Sequence, residues 1–152
     1  MSVEKDLSRF NFKYEREVKT YEIDIQQVVH NVIYFYYFEE ARIGYLKRLG
    51  FAFSKEIVIE NVEFVVAHNE ADYHEPARLG DVLTIYARML KIGRTSFTFA
   101  LEIIRQDGKA ICSGQTTVVA LAKDSGRPTP IPDRIRRAIA GLEGDAVNGA
   151  ND

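Results

Sequence analysis

Hydrophobic and polar positions change their period several times along this chain, and those changes mark out its elements. Phe12–Ile23 mixes aromatic, β-branched and charged residues and predicts a first strand. A loop, Asp24–His30, follows. From Asn31 to Leu49 apolar side chains recur at helical steps (Ile33, Tyr36, Tyr37, Ala41, Tyr45 and Leu49), which predicts a rod about 28 Å long ending at Gly50. Its first two turns are apolar on nearly every side. That suits a helix wrapped by a sheet better than one lying on a surface.

After a connecting stretch, Phe51–Glu60, strand patterns return. Val62–Tyr73 is rich in Val, Phe and Tyr, with Pro76 and Gly80 punctuating its end. Val82–Lys91 alternates Leu83, Ile85, Ala87 and Met89 with Thr84, Tyr86 and Arg88. Ile92-Gly93-Arg94 turns the chain, and Thr95–Arg105 sets Phe97, Phe99, Leu101 and Ile103 on one face. Asp107-Gly108 signals a two-residue hairpin before the last strand, Ala110–Lys123. Pro128, Pro130 and Pro132 break regular structure ahead of a short helix, Asp133–Leu142. The small and polar residues 143–152 predict a flexible tail.

One strand, one long helix and four strands joined largely by hairpins describe an α+β fold, without the alternation that a doubly wound parallel sheet requires. The pattern shows no repeat or linker, so residues 1–142 form a single expected domain. One helix cannot cover both faces of a five-stranded antiparallel sheet. The expected remedy is pairing with another copy, as a homodimer or homotetramer.

Composition narrows the class further. The chain has 152 residues, enough for one substantial core, and a 46% hydrophobic share excludes wholesale disorder. Its 20 basic residues are offset by 22 acidic ones, for a net charge of −2, which argues against a nucleic-acid partner. The single cysteine, Cys112, excludes an internal disulfide and a multi-cysteine metal site, and fits a reducing cytoplasm. The N-terminus has no signal-peptide core. The longest apolar run, Val28–Phe38, is interrupted by His30 and Asn31, so no membrane span is expected.

Candidate chemistry concentrates in Tyr21–Gly50. Asp24 lies on the loop ahead of the helix, and a carboxylate facing a helix N-terminus can act as base or nucleophile on a carbonyl that the exposed amides polarise. As an alternative, Asp24 ends a strand and bonds its own loop. Asn31 is the best N-cap residue type at this position. His30 orients Asp24, contacts substrate, caps the helix or packs at a subunit contact. His30, His68 and His74 are the only histidines, and no ligand spacing among them supports a metal. The aromatic run Tyr34–Phe38 packs the helix, with Tyr34 a candidate for lining a pocket. Glu39 and Glu40 read as exposed helix carboxylates.

The order Asp24, Val28-Val29-His30-Asn31, Tyr34 and Phe38-Glu39-Glu40-Ala41-Arg42 resembles the signature of the 4-hydroxybenzoyl-CoA thioesterase family, which has the hotdog fold. The likeness extends over roughly residues 12–132. Tyr73–Asp81 contains a Pro-Ala-Arg tripeptide before a turn, Gly93–Phe97 resembles the start of a family strand, and Gly126-Arg127-Pro128 with Pro130-Ile131-Pro132 resembles its ending.

The resemblance implies a long central helix wrapped by a curved antiparallel sheet of about five strands, in an oligomer. It implies hydrolysis of an acyl- or aroyl-CoA thioester without cofactor or metal. Asp24 is then nucleophile or general base, and the Asn31 amide polarises the carbonyl. The family often has Gly just before the Val-Val pair, where this chain has Gln26-Gln27, so Gln27 becomes a candidate substrate contact. The nucleotide end of coenzyme A calls for basic side chains, and Lys91, Arg94 and Arg127 are candidates. Asp72 is a candidate second polar residue across a subunit interface. Two other readings stay open: a non-catalytic hotdog module that binds acyl groups or assembles with other proteins, and a thioesterase acting on acyl-carrier protein.

Overall fold

The computed structural model describes residues 6–51 and 61–149. Its elements follow the order β1 (Phe12–Glu17), a 3-10 turn (Thr20–Glu22), α1 (Ile33–Arg48), β2 (Val62–Tyr73), β3 (Val82–Ile92), β4 (Ser96–Arg105), β5 (Ala110–Ala122) and α2 (Asp133–Glu143). The strands form one antiparallel sheet in the order β1-β3-β4-β5-β2. Between β1 and β2 the chain crosses from one edge of the sheet to the other, and α1 makes that crossing. This is the expected hotdog arrangement. Among the described residues no helix is long and apolar enough to cross a membrane.

Alternation along the strands explains how the sheet and helix meet. Leu83, Ile85, Ala87 and Met89 of β3 and Phe97, Phe99, Leu101 and Ile103 of β4 are buried on the face that receives Tyr37, Phe38, Ala41 and Tyr45 of α1. The rings meet edge to face, as at Tyr45 and Phe99, whose centroids are 5.2 Å apart at 89°. Helix α1 stops as expected. Gly50 takes φ 93°, its N–H donates to Lys47 O, and Phe51 N–H donates to Leu46 O, a Schellman closure.

Several boundaries differ from the expectations. The first strand ends at Glu17, short of Ile23, because its partner ends there: Glu17 pairs with Val82, the first residue of β3. The chain then turns so that the Glu22 carboxylate, only 3% exposed, can bond Arg16. Asn31 is outside the helix and is not its N-cap. Val32 holds that position and His30 supplies the capping contacts. The Asp107-Gly108 hairpin uses a longer turn, with Gly108 N–H donating to Arg105 O and Gly108 at φ 86°. The expected tail from residue 143 carries structure as far as Gly149: Asp145–Gly149 forms a 3-10 segment and buries Val147. Of the Phe51–Glu60 connection, residues 52–60 lie outside the described residues.

Candidate active site

The loop before α1 is built by hydrogen bonds that its sequence supplies. Asp24 N–H donates to Val28 O at 2.9 Å and Gln27 N–H to Asp24 O at 2.9 Å, closing a tight turn. An isolated bridge, Ile23–Val29, closes the loop, and a second, Val28–Arg78, ties it to the segment after β2. Gln27 sits at φ 64°, in the left-handed region where a side chain is strained and glycine is not. The family's preference for Gly before the Val-Val pair therefore has a backbone cause, which this chain meets at some cost.

Beneath the turn lies a polar network. Arg16 bridges Glu22 and Glu40, with Nη1 2.9 Å from Glu40 Oε1. Tyr37 Oη donates to Glu22 Oε1 at 3.1 Å, and Tyr14 Oη to Glu40 Oε2 at 2.8 Å. Glu22 O accepts His30 N–H at 2.9 Å. The network thus fixes both ends of the loop against α1, and Glu40 has structural partners rather than being a free surface carboxylate.

Asp24 is half-buried. Its Oδ1 accepts Gln26 N–H at 2.8 Å, and Oδ2 has no partner among the described residues. At the start of α1, Val32 N–H donates to His30 Nδ1 at 3.3 Å and Ile33 N–H to His30 O at 2.8 Å. The Asn31 N–H just before them has no acceptor among the described residues. Asn31 O accepts from Tyr73 Oη at 3.2 Å, joining the end of β2 to the start of α1. Asp24, Asn31 and Tyr34 line one cavity of about 390 Å³, together with Gln26, Val28, Val29, Tyr73, His74, Glu75 and Pro76. Burial pushes the Tyr34 hydroxyl up to about 12 and also raises that of Tyr73, so both are neutral donors at physiological pH.

The remaining sequence candidates lie elsewhere. His30 is exposed, turned to the helix start rather than lining the cavity, and Gln27 points off it while Gln26 forms its wall. Lys91 lines a separate cavity of about 300 Å³ with Thr98 and Thr117, three strands in from the β2 edge. Arg94 is exposed at the β3–β4 turn, and Arg127 in the loop after β5. Asp72 is exposed on β2 opposite Ser113. The cations beside the cavity wall are instead Arg105, whose Nη1 donates to Pro76 O at 3.1 Å, and Lys109, 3.9 Å from Glu75. Tyr73, His74 and Glu75 escape a sequence reading of this wall because a strand end carries no periodic signal. The only clue is the His-Glu pair directly before Pro76.

A free carboxylate oxygen and an unused amide on one cavity wall can serve an acyl-transfer reaction: the first delivers or activates a nucleophile, the second receives oxyanion charge. Comparison with known proteins points the same way. A family model described as the thioesterase superfamily matches residues 26–112. An "Acyl-CoA thioester hydrolase YbgC" of Escherichia coli O6:H1 is 27% identical over 124 residues, covering 82% of this chain and 92% of that protein. The crystal structure of a thioesterase complexed with coenzyme A and Zn from Thermus thermophilus is 32% identical, with a TM-score of 0.76 over 89% of this chain and 96% of that one. A 1,4-dihydroxy-2-naphthoyl-CoA thioesterase from Synechocystis, 23% identical, shares the fold with a TM-score of 0.80 over 87% of this chain and 97% of its own.

Proposed function

This chain belongs to the thioesterase superfamily, and from that premise we propose that it is a cytoplasmic acyl-CoA thioesterase, releasing free acid and coenzyme A. The observation that carries the reading is the shared cavity of Asp24, with one unengaged carboxylate oxygen, and Asn31, with an unengaged amide. A thioester carbonyl is poorly stabilised by resonance, so a carboxylate can attack it or activate a water against it. Either route builds negative charge on the carbonyl oxygen. The Asn31 N–H at the positive end of α1 offsets that charge, an interaction worth about 3 kcal/mol in comparable sites. Tyr34 and Tyr73, with ring centroids 5.6 Å apart, form the apolar wall for the acyl group.

The working unit is an oligomer paired through β2. Among the described residues this strand is an edge with no partner on its outer side, and Val65, Val66 and Tyr73 are exposed along it. Tyr36 is 60% and Ile25 98% exposed on the adjoining helix and loop. Arg105 and Lys109, beside the cavity wall, are the cations for the nucleotide phosphates.

A thiol-release screen over short aliphatic, long aliphatic and aromatic acyl-CoAs tests the reading. Turnover of at least one class is expected, and Asp24→Asn should lower it by about 10²-fold or more. Tight acyl-CoA binding without hydrolysis would instead identify a non-catalytic acyl-binding module, and full activity in Asp24→Asn would reject the mechanism.

A further inference from the structure

His74 lines the cavity beside Asp24, Asn31 and Tyr34, yet the mechanism above leaves it unused. Its Nε2 is 2.8 Å from Ser113 Oγ, and Ser113 Oγ is 2.6 Å from Glu102 Oε2. Glu102 and Ser113 are register partners on β4 and β5, so both side chains leave the same face of the sheet. The direction of this chain follows from which atoms carry hydrogen. An ionised carboxylate only accepts, so the single Ser113 hydroxyl proton goes to Glu102, and Ser113 Oγ accepts from His74 Nε2–H.

Two consequences follow. Ser113 gives its proton to an acid rather than to the imidazole, so this is not a serine nucleophile activated by histidine. And His74 keeps a proton on Nε2 in either charge state, leaving Nδ1 as the nitrogen that gains and loses one. Several carboxylates stand around the ring. Glu102 stands behind Ser113 on β4–β5, Asp72 is the β2 register partner of Ser113, Glu75 follows His74, and Asp24 shares the cavity. The opposing cations, Arg105 and Lys109 of the β4–β5 hairpin, are drawn to Glu75 at 3.4 and 3.9 Å.

We propose that His74 is a further catalytic residue, the proton donor to the departing sulfur. The assignment rests on the thioesterase reading and holds whether Asp24 acts as nucleophile or base. In the step, the C–S bond of the tetrahedral adduct breaks and its electron pair goes to sulfur. The carbonyl re-forms, and sulfur takes the proton from His74 Nδ1. When Asp24 acts as base, the proton it took from water returns through solvent to Nδ1, restoring both groups; when it acts as nucleophile, water then cleaves the acyl–Asp24 anhydride, freeing the acid and the Asp24 carboxylate, and the proton so released returns to Nδ1. The need is electrostatic: an alkyl thiol has a pKa of about 8.5, so at neutral pH its thiolate must pick up a proton, and here it would emerge beside the carboxylates of Asp24 and Glu75.

The test varies the leaving group. Wild type, His74→Gln and Ser113→Ala are assayed on one acyl group carried either by coenzyme A or by 4-nitrothiophenol, whose far more acidic thiol departs without help. His74→Gln should lose about 10²-fold in kcat on the acyl-CoA and several-fold at most on the aryl thioester. Ser113→Ala, which removes only the anchor, should show the same split to a smaller degree. Equal losses on both thioesters, or none on either in an active enzyme, overturn the role of His74 alone. A wild type inert toward both overturns the hydrolase reading and this assignment with it.

Discussion

At the residue scale, two positions show how backbone geometry dictates side chains. The same turn occurs twice in this chain. In Arg105–Lys109 the left-handed position is Gly108; in Asp24–Val28 it is Gln27, at φ 64°. A side chain there costs about 1 kcal/mol. Gln27→Gly should therefore raise stability by about that amount, seen as a rise of about 2–4 °C in the melting temperature. An unchanged or lower value would show that the Gln27 side chain holds the loop. Gly114 is the opposite case. A Cβ there would lie 2.5 Å from Glu70 O, within the β2–β5 ladder, and against the Phe38 ring. Gly114→Ala should cost about 3 kcal/mol in chemical denaturation, because a backbone carbonyl in a ladder cannot step aside.

At the element scale, the Asp24 loop depends on a network that spans three segments. Arg16 on β1, Glu22 on the 3-10 turn, and Tyr37 and Glu40 on α1 clamp the ends of the loop between them. Glu22 is the buried member, so removing its carboxylate strands the Arg16 cation. Glu22→Ala should destabilise by about 3–5 kcal/mol, read from urea unfolding. A cost near zero would mean that Glu40 alone neutralises Arg16. The element boundaries themselves were largely legible: β2 runs over Val62–Tyr73 as its residue types predict. Where expectation and structure part, the missing information was the length of a partner strand, as at Glu17, which no local pattern contains.

At the scale of the whole molecule, the proposed oligomer draws on β2, whose outer side has no partner among the described residues and along which Val65, Val66 and Tyr73 are exposed. Wild-type protein should sediment as a dimer or larger. Val66→Glu, which places a charge on the β2 surface without touching Asp24, should shift it toward monomer and lower thiol release in parallel. A fully active monomer would show that the cavity is complete within one chain. For the candidate site, the sequence could group Asp24, Asn31 and Tyr34, which line one cavity, because they lie around a helix start, where backbone amides are exposed by rule.

By itself the sequence determined the order of elements, the antiparallel α+β class and the loop that carries Asp24, because these depend on local periodicity and on the residue types that turns and helix ends accept. Only the tertiary structure decided which polar groups meet. His74 is far from Ser113 and Glu102 in the chain and meets them through strand register, and Arg16 finds Glu40 only once β1 lies against α1. Contacts of that kind are set by how strands pair across the sheet, a property of the folded whole that no single segment encodes.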